Sequence, residues 1–244
     1  MTPRASLLGV LRQAYDLALR PSTVLDVGAA YGSFTQDCYS VFPESRYILV
    51  EPLEEYGTHL DEVVRTIPRA DYTLAAAASK PGETTINVHP DLVGSSLYLE
   101  SEDSNVNGVP RTVPAVTLDS LCQDKKTLGP YLIKIDAQGA ELDVLEGAAR
   151  VLREAEFVLL EVSFFQFFEG GPQFHDVVQY MKSKGFVVYD VFGLQYRLLD
   201  NALSQADVVF VLETGRFRAH HYYATRDQRE RQTRLLQSAM KRSR

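Results

Sequence analysis

Short apolar, β-branched runs alternate with helical stretches along most of this chain, and that alternation restricts the possible folds more than any other feature. The spacing predicts strands at Thr23–Val27, Tyr47–Val50, Tyr72–Ala75, Tyr131–Ile135, Phe157–Val162, Phe186–Tyr189 and Val208–Leu212. It predicts helices over Arg4–Leu19, Ser33–Val41, Glu55–Arg65, Ala140–Leu152 and Pro172–Lys184. Such a pattern describes an α/β protein with a largely parallel sheet and helices on both faces. The alternation breaks once, between Gly82 and Val116, where Thr, Val, Ser and Asn dominate and short strands and loops are expected. The last run, after "LLDNALSQ", is expected to be antiparallel and to close the sheet. The chain thus divides into an N-terminal helix over 1–20, a main domain over 21–213 with an irregular β-rich insertion at about 82–116, and a tail over 214–244.

At 244 residues, 45% of them apolar and 23% charged, the chain suits one large α/β domain with appendages. No apolar run approaches the roughly 18–20 residues that span a bilayer. The N-terminus lacks the continuous apolar centre and small-residue cleavage site of a secretory signal. The two cysteines, Cys38 and Cys122, match no metal or redox spacing, so a cytoplasmic location is expected. The net charge of −7 is unevenly spread: nine Lys and Arg against two acids make the tail +7, leaving the body at −14. An acidic body argues against nucleic acid as a partner. The basic tail is either a solvated helix or an arm that docks on the acidic body of a second subunit in a homodimer.

Between the first strand and the first crossover helix the chain reads "VLDVGAAYGSF", Val24 to Phe34. Gly28 and Gly32 stand where a missing Cβ lets a ligand approach the main chain and where a helix N-terminus offers free N–H groups. The spacing G-x-x-x-G does not satisfy the dinucleotide fingerprint G-x-G-x-x-G. Asp26, just before the first glycine, would repel a pyrophosphate and suits a cationic ligand such as a sulfonium bearing an α-amino group. The next strand ends "YILVEP", which sets Glu51 at its tip, where an acid accepts both hydroxyls of a ribose. Together these residues favour S-adenosylmethionine over a nicotinamide dinucleotide.

The second half places acids in the same way. "YLIKIDAQGAELDVLEGA" carries a strand into Asp136, and "FVLLEVSFF" carries another into Glu161. Both carboxylates belong at the carboxyl edge of neighbouring strands, and burying an unpaired charge is costly enough that each needs a partner or a role. Capping of a loop or helix N-terminus is the alternative for both. Lys134 alternates with the apolar positions of its strand, as a partner for these acids or as a snorkelling edge residue. For Glu141, in the first turn of the next helix, complementarity to the helix dipole suffices.

The segments "LDVGAAYGSFT", "VEP", "VTLDSL", "IKIDAQGAELDVLEGA" and "LLEVSFF", in this order, resemble the FkbM-type S-adenosylmethionine-dependent methyltransferases. The resemblance runs from about Val24 to Tyr189 and includes the family's G-A-x-x-G form of the glycine loop. It implies a Rossmann-like class I methyltransferase domain, with a seven-stranded sheet whose last strand is antiparallel. It also implies O-methylation of a small-molecule hydroxyl, on a sugar or natural product. Asp26, Gly28, Ala29, Tyr31, Gly32, Glu51, Pro52, Ala76, Ala77 and Asp136 are then the expected cofactor contacts.

Methyl transfer from a sulfonium is an in-line displacement, so the enzyme must align an acceptor oxygen and remove its proton. Asp136 and Glu161 are the expected catalytic pair. Either one is a base while the other orients the acceptor, or both ligate a Mg²⁺ ion that acidifies the hydroxyl. His175, just beyond the loop after Glu161, is a third catalytic candidate because histidine titrates near neutrality. Acceptor contacts are expected from Ser95 and Ser96 in "LVGSSLY" and from Phe164 and Phe165 in "SFFQFFEGGP". The competing readings are a catalytically silent cofactor-binding scaffold and an NAD-dependent oxidoreductase.

Overall fold

A computed structural model describes residues 3–102 and 106–242. In chain order its strands are Thr23–Val27 (β1), Arg46–Glu51 (β2), Ala70–Leu74 (β3), Ala76–Ala77 (β4), Gly82–Val88 (β5), Val109–Val116 (β6), Tyr131–Ile135 (β7), Ala155–Ser163 (β8), Phe186–Tyr196 (β9) and Leu203–Leu212 (β10). Seven of them form one sheet in the order β3-β2-β1-β7-β8-β10-β9. The pairs from β3 to β8 are all parallel, whereas β10 runs antiparallel to both of its neighbours. The antiparallel strand was expected, but it does not end the sheet. β9 crosses to the edge, and β10 returns as a long hairpin arm between β9 and β8.

The α-helices are Leu7–Asp16 (α1), Ser33–Tyr39 (α2), Gly57–Thr66 (α3), Leu118–Asp124 (α4), Glu141–Glu146 (α5), Ala149–Arg153 (α6), Phe174–Ser183 (α7) and Arg226–Arg242 (α8). α1 starts later than the apolar periodicity suggests because Ser6 caps it, accepting a hydrogen bond from the Gly9 N–H. The single helix expected over Ala140–Leu152 is two. The Asp119 carboxylate accepts from the N–H groups of Arg150 and Val151, so a separate first turn begins there. α4 itself was not anticipated, although Thr117 caps it by accepting from Ser120 N–H at 3.0 Å.

Alternate residues of the central strands feed two apolar layers. Leu49, Tyr47, Leu132 and Val209 pack with Leu11 and Phe34 on one face. Ile48, Val50, Ile133 and Phe210 pack with Val144, Val151 and Met181 on the other. β5 and β6 of the irregular segment pair antiparallel, and β4 adds to β6 to make a small three-stranded sheet beside the main one. α8 is exposed along residues 226–240. Among the described residues, no helix is long and apolar enough to cross a membrane.

Candidate active site

β1 is flanked by β2 on one side and β7 on the other, so the strand order reverses at β1. In open α/β sheets a crevice forms at such a point, beyond the carboxyl ends of the strands. Gly28 begins the turn there with φ +69°, and a Cβ on it would lie 1.8 Å from the Asp136 carbonyl oxygen. The glycine is therefore required by the contact between the β1 and β7 turns, a different reason from the ligand approach expected of it. Gly32 opens α2, and a Cβ there would meet Val63 Cγ2 at 2.7 Å, so its place is in the packing against α3.

Asp26 faces inward. It is buried, and its Oδ2 accepts from Thr35 Oγ1 at 2.7 Å, while Lys134 Nζ stands 3.4 Å from Oδ1. Burial pushes its pKa up against the pull of Lys134 and Thr35. Asp26 lines neither of the clefts described below. Its placement serves Lys134, which donates to the Gly28 carbonyl at 2.7 Å and so braces the glycine turn. Burial opposes the charge on Lys134, but Asp26 and Asp136 outweigh it and hold the pKa above the ordinary lysine value.

Two clefts flank this turn. The first holds about 690 Å³, part of it open to solvent, and is lined by Gly28, Glu51, Pro52, Ala76, Ala77, Ser95 and Asp136 together with Ile86, Leu92 and Val93. That size suits a drug- or nucleoside-sized ligand. At its wall, Glu51 accepts from Ala30 N–H at 2.9 Å through Oε2 and from Leu53 N–H at 3.0 Å through Oε1. A carboxylate has about four lone-pair directions, so each oxygen keeps one for a ligand hydroxyl. Burial raises the Glu51 pKa, and the two N–H groups oppose that rise.

The second cleft, about 640 Å³, is lined by Ala29, Tyr31, Phe34, Lys134, Leu159, Phe192 and Asp207. Gly28, Ala30 and Asp136 line both clefts and form the wall between them. Strand register explains the acids along this edge. Asp136 follows β7 directly, Glu161 lies on β8 just past the β7–β8 pairing, and Asp207 on β10 is directly opposite Glu161. Glu161 itself lines neither cleft. Its Oε1 accepts from Gln195 Nε2 at 2.9 Å, and its Oε2 accepts from Gln205 Nε2 at 2.9 Å and Gln138 Nε2 at 3.1 Å. Burial, with Asp136, Asp207 and Glu141 nearby, pushes its pKa up to about 8.

These contacts do not fit the Mg²⁺ site considered for Asp136 and Glu161. The Gln138 amide donates to both carboxylates, at 2.9 Å to Asp136 Oδ1 and 3.1 Å to Glu161, and a hydrogen-bond donor stands where a cation would have to. Among the described residues, no group of three or more His, Cys, Asp and Glu side chains is arranged to hold a metal ion.

The other expected residues are dispersed. Ser95 lines the first cleft and accepts from His89 N–H at 3.0 Å. Ser96 is buried, donating to the Gln138 carbonyl at 2.6 Å, so it anchors the β7 turn and lines no cleft. Phe164 stacks on Phe174, with centroids 5.1 Å apart, and Phe165 lies under the Arg197 guanidinium at 3.8 Å. His175 lies on α7 with its side chain 70% exposed and lines neither cleft, which removes the geometric case for it as a base. Tyr31 meets Tyr56 and His59 edge-on over the second cleft.

Glu141 does more than complement a dipole. Its Oε1 accepts from the N–H groups of Ala137 and Gly139, both at 3.1 Å, and burial pushes its pKa up to about 7. It thereby shapes the turn that carries Asp136 and Gln138. Sequence reasoning missed Asp207, Gln138, Gln195 and Gln205. The available signal was an acid inside the apolar run "ADVVFVL", the same kind of interruption that singled out Lys134.

A sheet with this strand order and a single antiparallel strand second from the edge, bearing an acid at the tip of β2, is that of a Rossmann-like class I methyltransferase. The chain matches the methyltransferase FkbM domain over residues 26–188 and belongs to that family. It is a methyltransferase, and the family implies S-adenosylmethionine as the methyl donor. It is similar to the 2-O-methyltransferase NoeI of Sinorhizobium fredii, 28% identical over 180 residues that cover 68% of this chain and 73% of that protein. It is also similar to the hexuronic acid methyltransferase AglP of Haloferax volcanii, 23% identical over 63% of this chain and 61% of that protein. Among solved structures, magnesium protoporphyrin IX methyltransferase from Synechocystis superposes with a TM-score of 0.48 at 10% identity, covering 84% of this chain and 76% of that one.

Proposed function

We propose that the protein methylates a hydroxyl group of a sugar or a sugar-like natural product, using S-adenosylmethionine. The observation that carries this reading is the meeting of the two clefts at the Gly28–Asp136 wall, with Glu51 in one and the acid row beside the other. When bound, the sulfonium supplies an electrophilic methyl group. The chain's own residues bind and orient. Glu51 accepts from the ribose hydroxyls, while Ala76, Ala77 and Ile86 offer an apolar bed for the adenine. Asp136, Asp207, Lys134 and Tyr31 present several hydrogen-bonding groups to a polyhydroxylated acceptor approaching from the second cleft. The names of the two relatives, one a 2-O-methyltransferase and one acting on a hexuronic acid, support a sugar acceptor.

The catalytic unit in this reading is residues 21–213, to which α1 and the tail are appended. Cys38 and Cys122 are both buried and free, which supports a reducing compartment such as the cytoplasm. The test is calorimetric titration with S-adenosylmethionine and S-adenosylhomocysteine. It is followed by a screen of uronic acids, amino sugars, deoxysugars and their oligosaccharides for S-adenosylhomocysteine release. Micromolar binding with turnover on at least one sugar is the expected result. No binding at millimolar cofactor would overturn the reading.

A further inference from the structure

We propose that Asp207 takes the proton from the acceptor hydroxyl, an assignment that rests on the methyl-transfer reading above. Three geometric facts single it out from the acids of the row. First, Asp207 lines the second cleft, whereas Glu161, directly opposite it across the β8–β10 pair, does not. Second, both oxygens of Glu161 and one oxygen of Asp136 already receive glutamine N–H groups. Among the described residues, no hydrogen-bond donor reaches the Asp207 carboxylate. Third, the neighbouring strand makes room for that carboxylate. Gly193 on β9 has φ +59°, and a Cβ there would lie 2.2 Å from Asp207 Oδ2.

The surrounding charges suit the task. From β7, Lys134 and Asp136 face Asp207, and Glu161 faces it from β8. β9 contributes Phe192 and Gly193 and, two residue pairs further along, Asp190, which is paired with Arg4. Leu7 at the start of α1 brings no charge to this cleft. Two carboxylates directly opposed across a sheet repel, and that repulsion adds to burial in pushing the Glu161 pKa up to about 8. Burial and Asp136 push the Asp207 pKa up only to about 6, because Lys134 opposes them. At neutral pH Asp207 is therefore ionised and close to the pKa that serves a general base best. In the transfer, the acceptor oxygen bonds to the methyl carbon as the carbon–sulfur bond breaks and its electron pair stays on sulfur. The hydroxyl proton passes to an Asp207 oxygen and then leaves through the open cleft to solvent.

The experiment has two arms. Carbon-13 carboxyl NMR of the free enzyme should show Asp207 titrating near pH 6, and titration near pH 4 would overturn the assignment. In the second arm, Asp207→Asn is compared with the parent on the sugar found in the acceptor screen. Turnover should fall by about 10²–10⁴-fold, with S-adenosylmethionine affinity unchanged by calorimetry and with the parent's rise in turnover through pH 6 abolished. Asp207→Glu should recover part of the rate. A parental rate in Asp207→Asn, or a parental profile that rises instead through pH 8, would overturn the proposal and leave the methyl-transfer reading intact. Absence of cofactor binding in the parent would defeat that reading itself. Gly193→Ala, which displaces the Asp207 carboxylate without removing it, should lower turnover in the same direction.

Discussion

Replacing Gly28 with alanine should destabilise the whole domain rather than merely block a ligand. The turn cannot yield in either direction. A Cβ would press on the Asp136 carbonyl at 1.8 Å, while the Gly28 and Ala29 N–H groups are tied to the Val50 carbonyl at 2.9 and 3.2 Å. Holding a non-glycine residue at φ +69° costs about 1–2 kcal/mol. Forcing a methyl group into a packed site adds about 1–3 kcal/mol. The sum, about 2–5 kcal/mol, is a large share of the roughly 5–15 kcal/mol that holds a domain together. For a chain of this size each kcal/mol moves the melting midpoint by about 2–4 °C, so the loss should be about 4–20 °C. Thermal unfolding followed by circular dichroism measures it directly. The same shift separates the β1 and β7 turns that form the wall between the clefts, so calorimetry should also show weakened S-adenosylmethionine binding. A variant that melts within about 1 °C of the parent would refute the argument, because the packing clash could then not exist as described.

Glu51→Ala should weaken S-adenosylmethionine and S-adenosylhomocysteine alike, by about 1.5–3 kcal/mol or roughly ten- to hundredfold in dissociation constant. Unchanged constants for both would remove Glu51 from the ribose. Glu161→Gln should change how stability depends on pH. The Glu161 pKa is raised in the folded protein, so the parent's stability is fully present below about pH 4.5, the unfolded value, and is lost as pH rises towards about 8. The glutamine variant escapes that loss, so its melting temperature should gain on the parent's over this window and hold the gain above it; parallel curves would show that Glu161 titrates normally. Exhaustive chelation should leave methyl transfer at its starting rate, and a loss restored by magnesium would show that Asp136 and Glu161 hold a cation after all.

The strands of the main sheet, the crossover helices other than α4 and the α5–α6 break, and the acids at strand tips were legible because each depends on local pattern. β-branched apolar runs mark buried strands, and Glu51 and Asp136 stand at strand ends in the text itself. The family resemblance supplied an antiparallel last strand but not the order of the sheet, since nothing local places β10 between β8 and β9. Side-chain direction was beyond the sequence in a more basic way. Asp26 and Glu51 both stand at or beside a strand end, yet one points under the glycine turn to Lys134 and Thr35 while the other lines a cleft. Strand register and neighbouring helices decide which. The reason for Gly28 was likewise hidden, because the atom that excludes a Cβ belongs to Asp136, more than a hundred positions away. Asp207 acquires its setting from β7, β8 and β9 together, whose residues are joined only by the sheet. Composition and periodicity determined that this chain forms a parallel sheet with acids along its carboxyl edge. Tertiary packing alone decided which of those acids is braced by glutamines and which is left facing the cleft, because burial and hydrogen bonding depend on neighbours that are distant in the chain.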